Sequence, residues 1–431
     1  MDRFLMDELV LWKNRKNRKP LILNGARQVG KTWLLKQFGK VHFEKVCYAS
    51  LDNDETACSF FEKGFDTKRI LSNFSLHTGV EISPHDTLII IDEIQSCPKA
   101  ITSLKYFCEE SPEFGVVAAG SLLGLSANEA SGYPVGKVNT LNLYPLSFRE
   151  FLDATGNQPL RELLDSDDKD SIDAFSEKAT RLLKEYYVVG GMPEAVLAYS
   201  EGESFRCVRE IQSRILEGYM RDFSKHVPVR LFARMVEVWN SIPTHLSREN
   251  KKFVFGHVRK GARSKDFEET LAWLASAGLI QRVDRVTKPN IPLSAYCDNK
   301  SYKVFLVDIG LLGAMCGLDP SVVLKHNDLF TEFKGAMTEQ YVCQQLVSEI
   351  KTRPFYWSAE NSIGEIDFLI QTKGKIFAIE VKAEENLRSK SLRAFKEKYP
   401  EVDAVRLSLS GFRRQNWMQN IPLFAIGGSF N

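Results

Sequence analysis

Eight consecutive residues, Gly25 to Thr32, read Gly-Ala-Arg-Gln-Val-Gly-Lys-Thr and fit the pattern G-x-x-x-x-G-K-[ST]. The pattern constrains the fold tightly, because it needs a buried strand to deliver it and a helix to receive it. The apolar run Pro20-Leu21-Ile22-Leu23 precedes it, and the amphipathic stretch Trp33-Leu34-Leu35-Lys36-Gln37-Phe38 follows. The glycines let the backbone curl so that successive N–H groups face a phosphate, while the helix starting near Lys31 turns its positive end to the same charge. On this reading Gly25, Ala26, Arg27, Gln28, Val29, Gly30, Lys31 and Thr32 contact a nucleoside triphosphate. Lys31 reaches the β- and γ-phosphates, and the Thr32 hydroxyl holds Mg²⁺. A Gly-rich turn before a helix is the other reading of eight letters with four free positions.

Residues 87–93, Thr-Leu-Ile-Ile-Ile-Asp-Glu, form an unbroken apolar run ending in two carboxylates. A strand buried on both faces of a parallel sheet needs no alternation, and its carboxyl end is where such sheets place ligands. This is the pattern of a Walker B strand, in which Asp92 orients hydrated Mg²⁺ and Glu93 acts as general base toward the attacking water. Lys45 to Asp52 read as a further strand, and Val116-Val117-Ala118-Ala119 as another. The latter ends in Gly120-Ser121, which puts the Ser121 hydroxyl where a sensor of the γ-phosphate or water would sit; ordinary turn chemistry also places serine after glycine.

The chain has 431 residues, 44% hydrophobic and 26% charged, which allows two to four globular domains. No stretch reaches the 18 apolar residues that mark a membrane span, and the start, Met-Asp-Arg-Phe-Leu-Met-Asp-Glu, is acidic where a signal peptide is basic. Eight scattered cysteines without a C-x-x-C pair read as free thiols, and the expected location is the cytoplasm. The histidine spacing gives no support to a zinc site.

Residues 1–151 are expected to form the phosphate-loop domain. Residues 152–224 read as an acidic linker, around Asp165 to Asp170, and a helical connector that breaks at Gly190-Gly191-Met192-Pro193. Residues 225–303 read as a winged-helix-like unit, with Leu231, Met235, Val238 and Trp239 on one helix and Phe267, Leu271 and Leu274 on another. The segments 279–283 and 295–296 are its two wing strands. Between 246 and 303 there are 12 Lys and Arg against 6 Asp and Glu, a basic balance within a chain whose net charge is only +2. Arg259, Lys260, Arg263 and Lys265 cluster there. The patch suits DNA phosphates, and a winged helix equally serves as a protein-contact module.

A second chemical pattern lies in residues 304–431. Gly364-Glu365-Ile366-Asp367-Phe368-Leu369-Ile370, a turn of about four residues, and Ile376-Phe377-Ala378-Ile379-Glu380-Val381-Lys382 read as a β-hairpin. Residues two apart on a strand share a face, so Glu380 and Lys382 point the same way and can converge with Asp367. Asp367 and Glu380 can hold a divalent metal, with Lys382 positioning a water or stabilising a pentavalent phosphate. Glu339, on a helix upstream, is a further acidic candidate. Lys382 neutralising Glu380 in a structural ion pair accounts for the same residues without a metal.

The order helix Glu, Asp, Glu-x-Lys resembles the PD-(D/E)XK nuclease core. The whole chain resembles a family of bacterial and archaeal AAA-type P-loop ATPases that carry a C-terminal domain of unknown function with a restriction-endonuclease-like end. Its marks here are residues 25–32, Ile91-Asp92-Glu93-Ile94-Gln95, Tyr144-Pro145-Leu146-Ser147-Phe148-Arg149-Glu150-Phe151, Gly190-Gly191-Met192-Pro193-Glu194-Ala195-Val196, Val307-Asp308-Ile309-Gly310-Leu311-Leu312 and Glu365-Ile366-Asp367-Phe368. The resemblance implies an α/β fold: a P-loop parallel sheet, a helical and winged-helix region, and a small PD-(D/E)XK-like α/β domain. It also implies ATP binding and hydrolysis, with nucleotide state controlling a DNA-binding, nuclease-like half. The alternative is a nucleotide-dependent switch or scaffold for a protein partner, or for a second copy of the chain, with an inactive nuclease fold. Similar proteins tend to have Gly-Arg where this chain has Gly136-Lys137, so the charge of an arginine finger would come from Arg149 or from a partner chain.

Overall fold

The computed structural model describes the chain apart from residues 121–133, 249–250, 326–329, 360–363, 385–388 and 431. Ser121 therefore lies outside the described residues. The chain divides into two units, Asp2–Tyr144 with Ser276–Gly278, and Pro145–Ala275 with Leu279–Asn431 and Met1. The first boundary thus falls at 144, seven residues before the expected 151.

The first unit is built on five parallel strands, β1 (Leu21–Asn24), β2 (Lys45–Ser50), β3 (Thr87–Asp92), β4 (Gly115–Ala119) and β5 (Asn139–Asn142), in the order β2-β3-β4-β1-β5. The three central strands β1, β3 and β4 are buried along their whole length, which is why their sequences are continuously apolar. The edge strand β5, Asn-Thr-Leu-Asn, alternates in exposure and carries little apolar signal, so sequence pattern alone did not mark it. Aromatic and aliphatic side chains of the helices Glu55–Ser59, Thr67–Thr78 and Pro98–Glu110 pack on the sheet, with Ala57, Phe74, Leu104 and Phe107 in one cluster with Ile89 and Ile91.

The second unit opens with helices. The acidic stretch expected as a linker is instead helical over Gln158–Asp165 and Lys169–Ala174, with Leu160, Leu164 and Ile172 buried beneath exposed carboxylates. Charge repulsion at the surface is offset by the apolar stripe on the other face. Longer helices follow at Ser176–Val189, Phe205–His226 and Val229–Leu246, and then Ser264–Ser276.

Eight strands form one mixed sheet, β6 (Ile280–Val286), β7 (Cys297–Leu306), β8 (Phe355–Ser358), β9 (Glu365–Thr372), β10 (Lys375–Val381), β11 (Asp403–Ser408), β12 (Arg413–Arg414) and β13 (Gln419–Pro422). Their order is β12-β13-β11-β10-β9-β8-β6-β7. The expected wing hairpin is thus part of this sheet: β6 pairs with β7 on one side and with β8 on the other. Two expectations are corrected. The boundary at 303 falls inside β7, and residues 293–296 form a 3-10 turn ahead of that strand. Val286 and Leu293 share an apolar cluster with Phe355, Trp357, Leu369 and Phe395, and this shared core ties the hairpin to the sheet.

The β9–β10 hairpin forms as read, but its turn is the two residues Lys373-Gly374 rather than about four. Both have positive φ, 48° and 75°, which matches the twist of the flanking strands. Among the described residues no helix is long and apolar enough to cross a membrane.

Candidate functional site

At the carboxyl end of the first sheet, Gly25 has no room for a side chain: a Cβ there would fall 2.4 Å from the Leu143 carbonyl oxygen. Ala26 and Val29 point into the core while Arg27 and Gln28 are exposed. Gly30, at φ 92°, reverses the chain into the helix Lys31–His42. No side chain caps that helix and no acid lies in its first turn, so its leading N–H groups keep their pull on an anion.

Lys31 is buried, and its Nζ donates to the carbonyls of Gly25 at 3.0 Å and Ala26 at 2.9 Å. Burial pushes its ammonium down to about 8, against the upward pull of Glu93 and Asp92. The Thr32 hydroxyl donates to Asp92 Oδ2 at 2.7 Å. Asp92 also accepts from the Tyr48 hydroxyl at 3.1 Å and from the Glu93 N–H at 3.0 Å. Glu93 follows in a left-handed backbone conformation, φ 50° and ψ 42°, and Gln95 donates to its Oε2. A left-handed non-glycine residue costs energy that surrounding structure must supply, and such positions gather at functional sites. The sequence reading missed Tyr48, whose signal was a lone tyrosine on an edge strand, held further by Lys36 at 3.6 Å from the ring centre.

In the second unit Glu339, Asp367, Glu380 and Lys382 line one cavity of about 740 Å³. Lys382 Nζ lies 2.8 Å from Glu380 Oε1, so the two share a face as the strand period requires. Glu380 Oε2 is buried with no hydrogen-bond partner among the described residues. Asp367 Oδ2 accepts from the Val381 N–H at 2.7 Å. Burial, reinforced by the charge of Glu339, pushes the Asp367 carboxyl up to about 7.

Two lysines that sequence reasoning missed enter this site. Lys303 on β7 is fully buried, 2.5 Å from Glu365 and 3.7 Å from Glu339, and Lys251 pairs with Glu339. Burial acts to lower the Lys303 ammonium, but Glu365, Glu339 and Asp367 outweigh it and raise it above its ordinary value. Among the described residues no group of three or more Asp, Glu, His or Cys side chains is placed to hold a metal. A cation here would rest on Asp367 and Glu380, with Glu339 engaged by lysines.

Arg149, the candidate for an arginine finger, is engaged in ion pairs. It is buried within the second unit, 3.0 Å from Glu349, paired with Asp165, and donates to the Leu164 carbonyl at 3.3 Å. Lys137, at the expected finger position, is ion-paired with Glu109 at 2.8 Å.

Residues 17–152 match the family described as an AAA domain. They form an AAA-type P-loop domain. Residues 180–322 and 334–425 of the chain match two families described as Domain of unknown function (DUF8612) and Domain of unknown function (DUF4143). The uncharacterized proteins Rv2008c of Mycobacterium tuberculosis and Mb2031c of Mycobacterium bovis are each 24% identical over 374 residues, covering 85% of this chain and 71% of theirs. Among solved structures, the Walker-type ATPase PABY2304 of Pyrococcus abyssi aligns with a TM-score of 0.44 at 14% identity, covering 73% of this chain and 95% of its own. The Orc1 protein of Aeropyrum pernix in complex with DNA aligns with a TM-score of 0.26 at 15% identity, covering 73% and 90%.

Beyond the AAA-type domain, the motifs around Leu146, Gly190 and Asp308 serve packing. Asp308 is buried and accepts from Gly191 N at 2.6 Å, Leu311 N at 3.0 Å and Gln344 Nε2 at 3.1 Å. A Cβ on Gly190 would fall 2.2 Å from the same carboxylate. Leu146 N donates to Gly191 O at 2.7 Å, Tyr186 donates to Leu146 O at 2.6 Å, and Phe148 N donates to Gln345 Oε1 at 2.9 Å. The helix Thr331–Ser348 therefore serves two ends: Gln344 and Gln345 anchor it in this knot, and Glu339, a turn and a half earlier, faces the cavity.

Proposed function

We propose that the chain is a cytoplasmic ATPase whose AAA-type domain binds and hydrolyses ATP with Mg²⁺, and whose nucleotide state controls a DNA-binding, nuclease-like second unit. The observation that carries the ATPase reading is the contact of Thr32 with Asp92 at 2.7 Å beside Glu93 and above a phosphate loop of the required shape. Thr32 and Asp92 present paired hard oxygens suited to Mg²⁺, which would neutralise phosphate charge when bound. Lys31, held by two carbonyls of its own loop, would turn to the β- and γ-phosphates, whose charge favours its ammonium form. Glu93 would take the proton of the attacking water, with Gln95 fixing the orientation of its carboxylate. Eight free cysteines accord with a reducing compartment.

The test is ATP binding and turnover. Lys31→Ala should abolish binding, whereas Glu93→Gln should retain it and lower turnover by about two orders of magnitude or more. Wild-type turnover in Glu93→Gln removes Glu93 as the base.

For the second unit, the buried Glu380 Oε2, without a hydrogen-bond partner among the described residues, supports a divalent cation site with Asp367, and Lys382 is at hand for a phosphate oxygen or water. Arg259, Lys260, Arg263 and Lys265 are all exposed, which supports phosphate contact from this basic segment. The scaffold reading draws on the same cavity: Glu380 is paired with Lys382, and Glu339 with Lys251. Cleavage of DNA or RNA with Mg²⁺ or Mn²⁺, with and without ATP, separates the two. Loss of cleavage in Asp367→Ala and Lys382→Ala with ATPase intact supports the nuclease; no cleavage of any form by the wild type leaves the scaffold.

A further inference from the structure

We infer that the second-unit cavity takes one divalent cation and not two, because lysine ammonium groups fill the side of the site where Glu339 would serve a second. This rests on the metal reading of Asp367 and Glu380 above. The carboxylates Glu339, Glu365, Asp367 and Glu380 meet the ammonium groups of Lys251, Lys303 and Lys382, and Lys252 and Arg285 also line the cavity. The pairing is uneven. Lys303 lies between Glu365 and Glu339, Lys251 adds to Glu339, and Lys382 takes one oxygen of Glu380.

What remains is local to one side. Glu380 is 5% exposed and its Oε2 has no hydrogen-bond partner among the described residues, while Asp367 Oδ2 accepts from the Val381 N–H. Two carboxylate ligands with the other positions left to water and phosphate oxygens suit Mg²⁺ or Mn²⁺. A two-metal clamp needs a second ligand set about 4 Å away. Here that neighbourhood is Glu339, already flanked by Lys251 and Lys303, and a second cation would meet like charge.

Lys303 cannot swing clear as a surface lysine would. It is 0% exposed, it sits in β7 opposite Val283 of β6, and Lys252 bridges to it from the other side. Glu339 is then a positioning residue that holds two lysines, not a metal ligand.

The experiment is Mn²⁺ titration of the full chain without nucleotide, by calorimetry and electron paramagnetic resonance, in a Thr32→Ala/Asp92→Asn background that silences the phosphate-loop site. The expected result is one Mn²⁺ per chain with the spectrum of an isolated ion, lost in Asp367→Asn and in Glu380→Gln and retained at one per chain in Glu339→Gln. Two Mn²⁺ per chain with spin coupling, or loss of binding in Glu339→Gln with an unchanged melting temperature, overturns the inference and leaves the metal reading standing. No binding in the background protein overturns both.

Discussion

Glu349 offers the sharpest test of the electrostatics of the second unit. It follows the helix Thr331–Ser348, at the negative end of the helix dipole, and its side chain is 6% exposed. Gly427 packs on it so closely that a Cβ there would fall 2.0 Å from Oε1. One guanidinium, Arg149, serves both Glu349 and Asp165, and Glu150 stands near. Burial first, then the charges of Glu150 and Asp165, hold the Glu349 carboxyl at about 7 against an ordinary 4.5, despite Arg149. The folded state therefore binds the proton more tightly than the unfolded chain. The stability this represents is fully present below 4.5 and is lost as pH rises through 7, a total of about 3 kcal/mol, of which about 2 kcal/mol falls between pH 5.5 and pH 8. Glu349→Gln, a neutral mimic, removes the dependence. It should be more stable than wild type at pH 8 by up to about 3 kcal/mol, with the gap narrowing to about 1 kcal/mol at pH 5.5. Urea unfolding read by pulsed hydrogen exchange on peptides of 331–348 reports this unit alone. If Glu349→Gln is the less stable protein at pH 8, or if the gap does not change with pH, the buried carboxyl is not held protonated and the reasoning fails.

Three further outcomes are expected. Tyr48→Phe removes one of three hydrogen bonds to Asp92 and should lower ATP turnover about tenfold with nucleotide affinity within about twofold; equal turnover would show that Thr32 and the Glu93 N–H suffice. If the exposed basic segment contacts DNA phosphates, replacing Arg259 and Lys260 with alanine should flatten the log–log salt dependence of binding by about 1 to 2, and salt-independent binding would turn the segment into a protein contact. Asp308→Ala leaves buried donors of Gly191, Leu311 and Gln344 without an acceptor and should cost about 3 kcal/mol or more in chemical denaturation; a cost under about 1 kcal/mol would mean that the knot repacks.

The phosphate loop, the Asp92-Glu93 strand and the β9–β10 hairpin were legible because each is local: a short pattern tied to one strand end or one turn. What stayed hidden depends on distant pairings. Lys303 and Lys251 meet Glu339 from 36 and 88 positions away, and a lysine in a polar strand carries no mark of being fully buried. The hairpin of β6 and β7 was visible, but its parallel pairing with β8 depends on residues 71 positions on. Asp165 to Asp170 read as a linker because charge dominates composition, whereas Leu160 and Leu164, one turn apart on one helix, and Ile172 on the next decided the fold. Arg149 looked like a mobile charge because the sequence holds no sign that Glu349 closes over it.

The pairing of β6 with β8 also governs how this chain can be cut. A fragment beginning at residue 304 or 334 would strip β8 of its neighbour and present a row of unpaired backbone groups, with apolar Phe355 and Trp357 beside them, to any other copy in solution. Such a piece should aggregate on expression. A fragment that starts near Pro145 keeps all eight strands and their native edges, and it is the smaller unit on which nuclease, metal and DNA assays can be attempted without the ATPase.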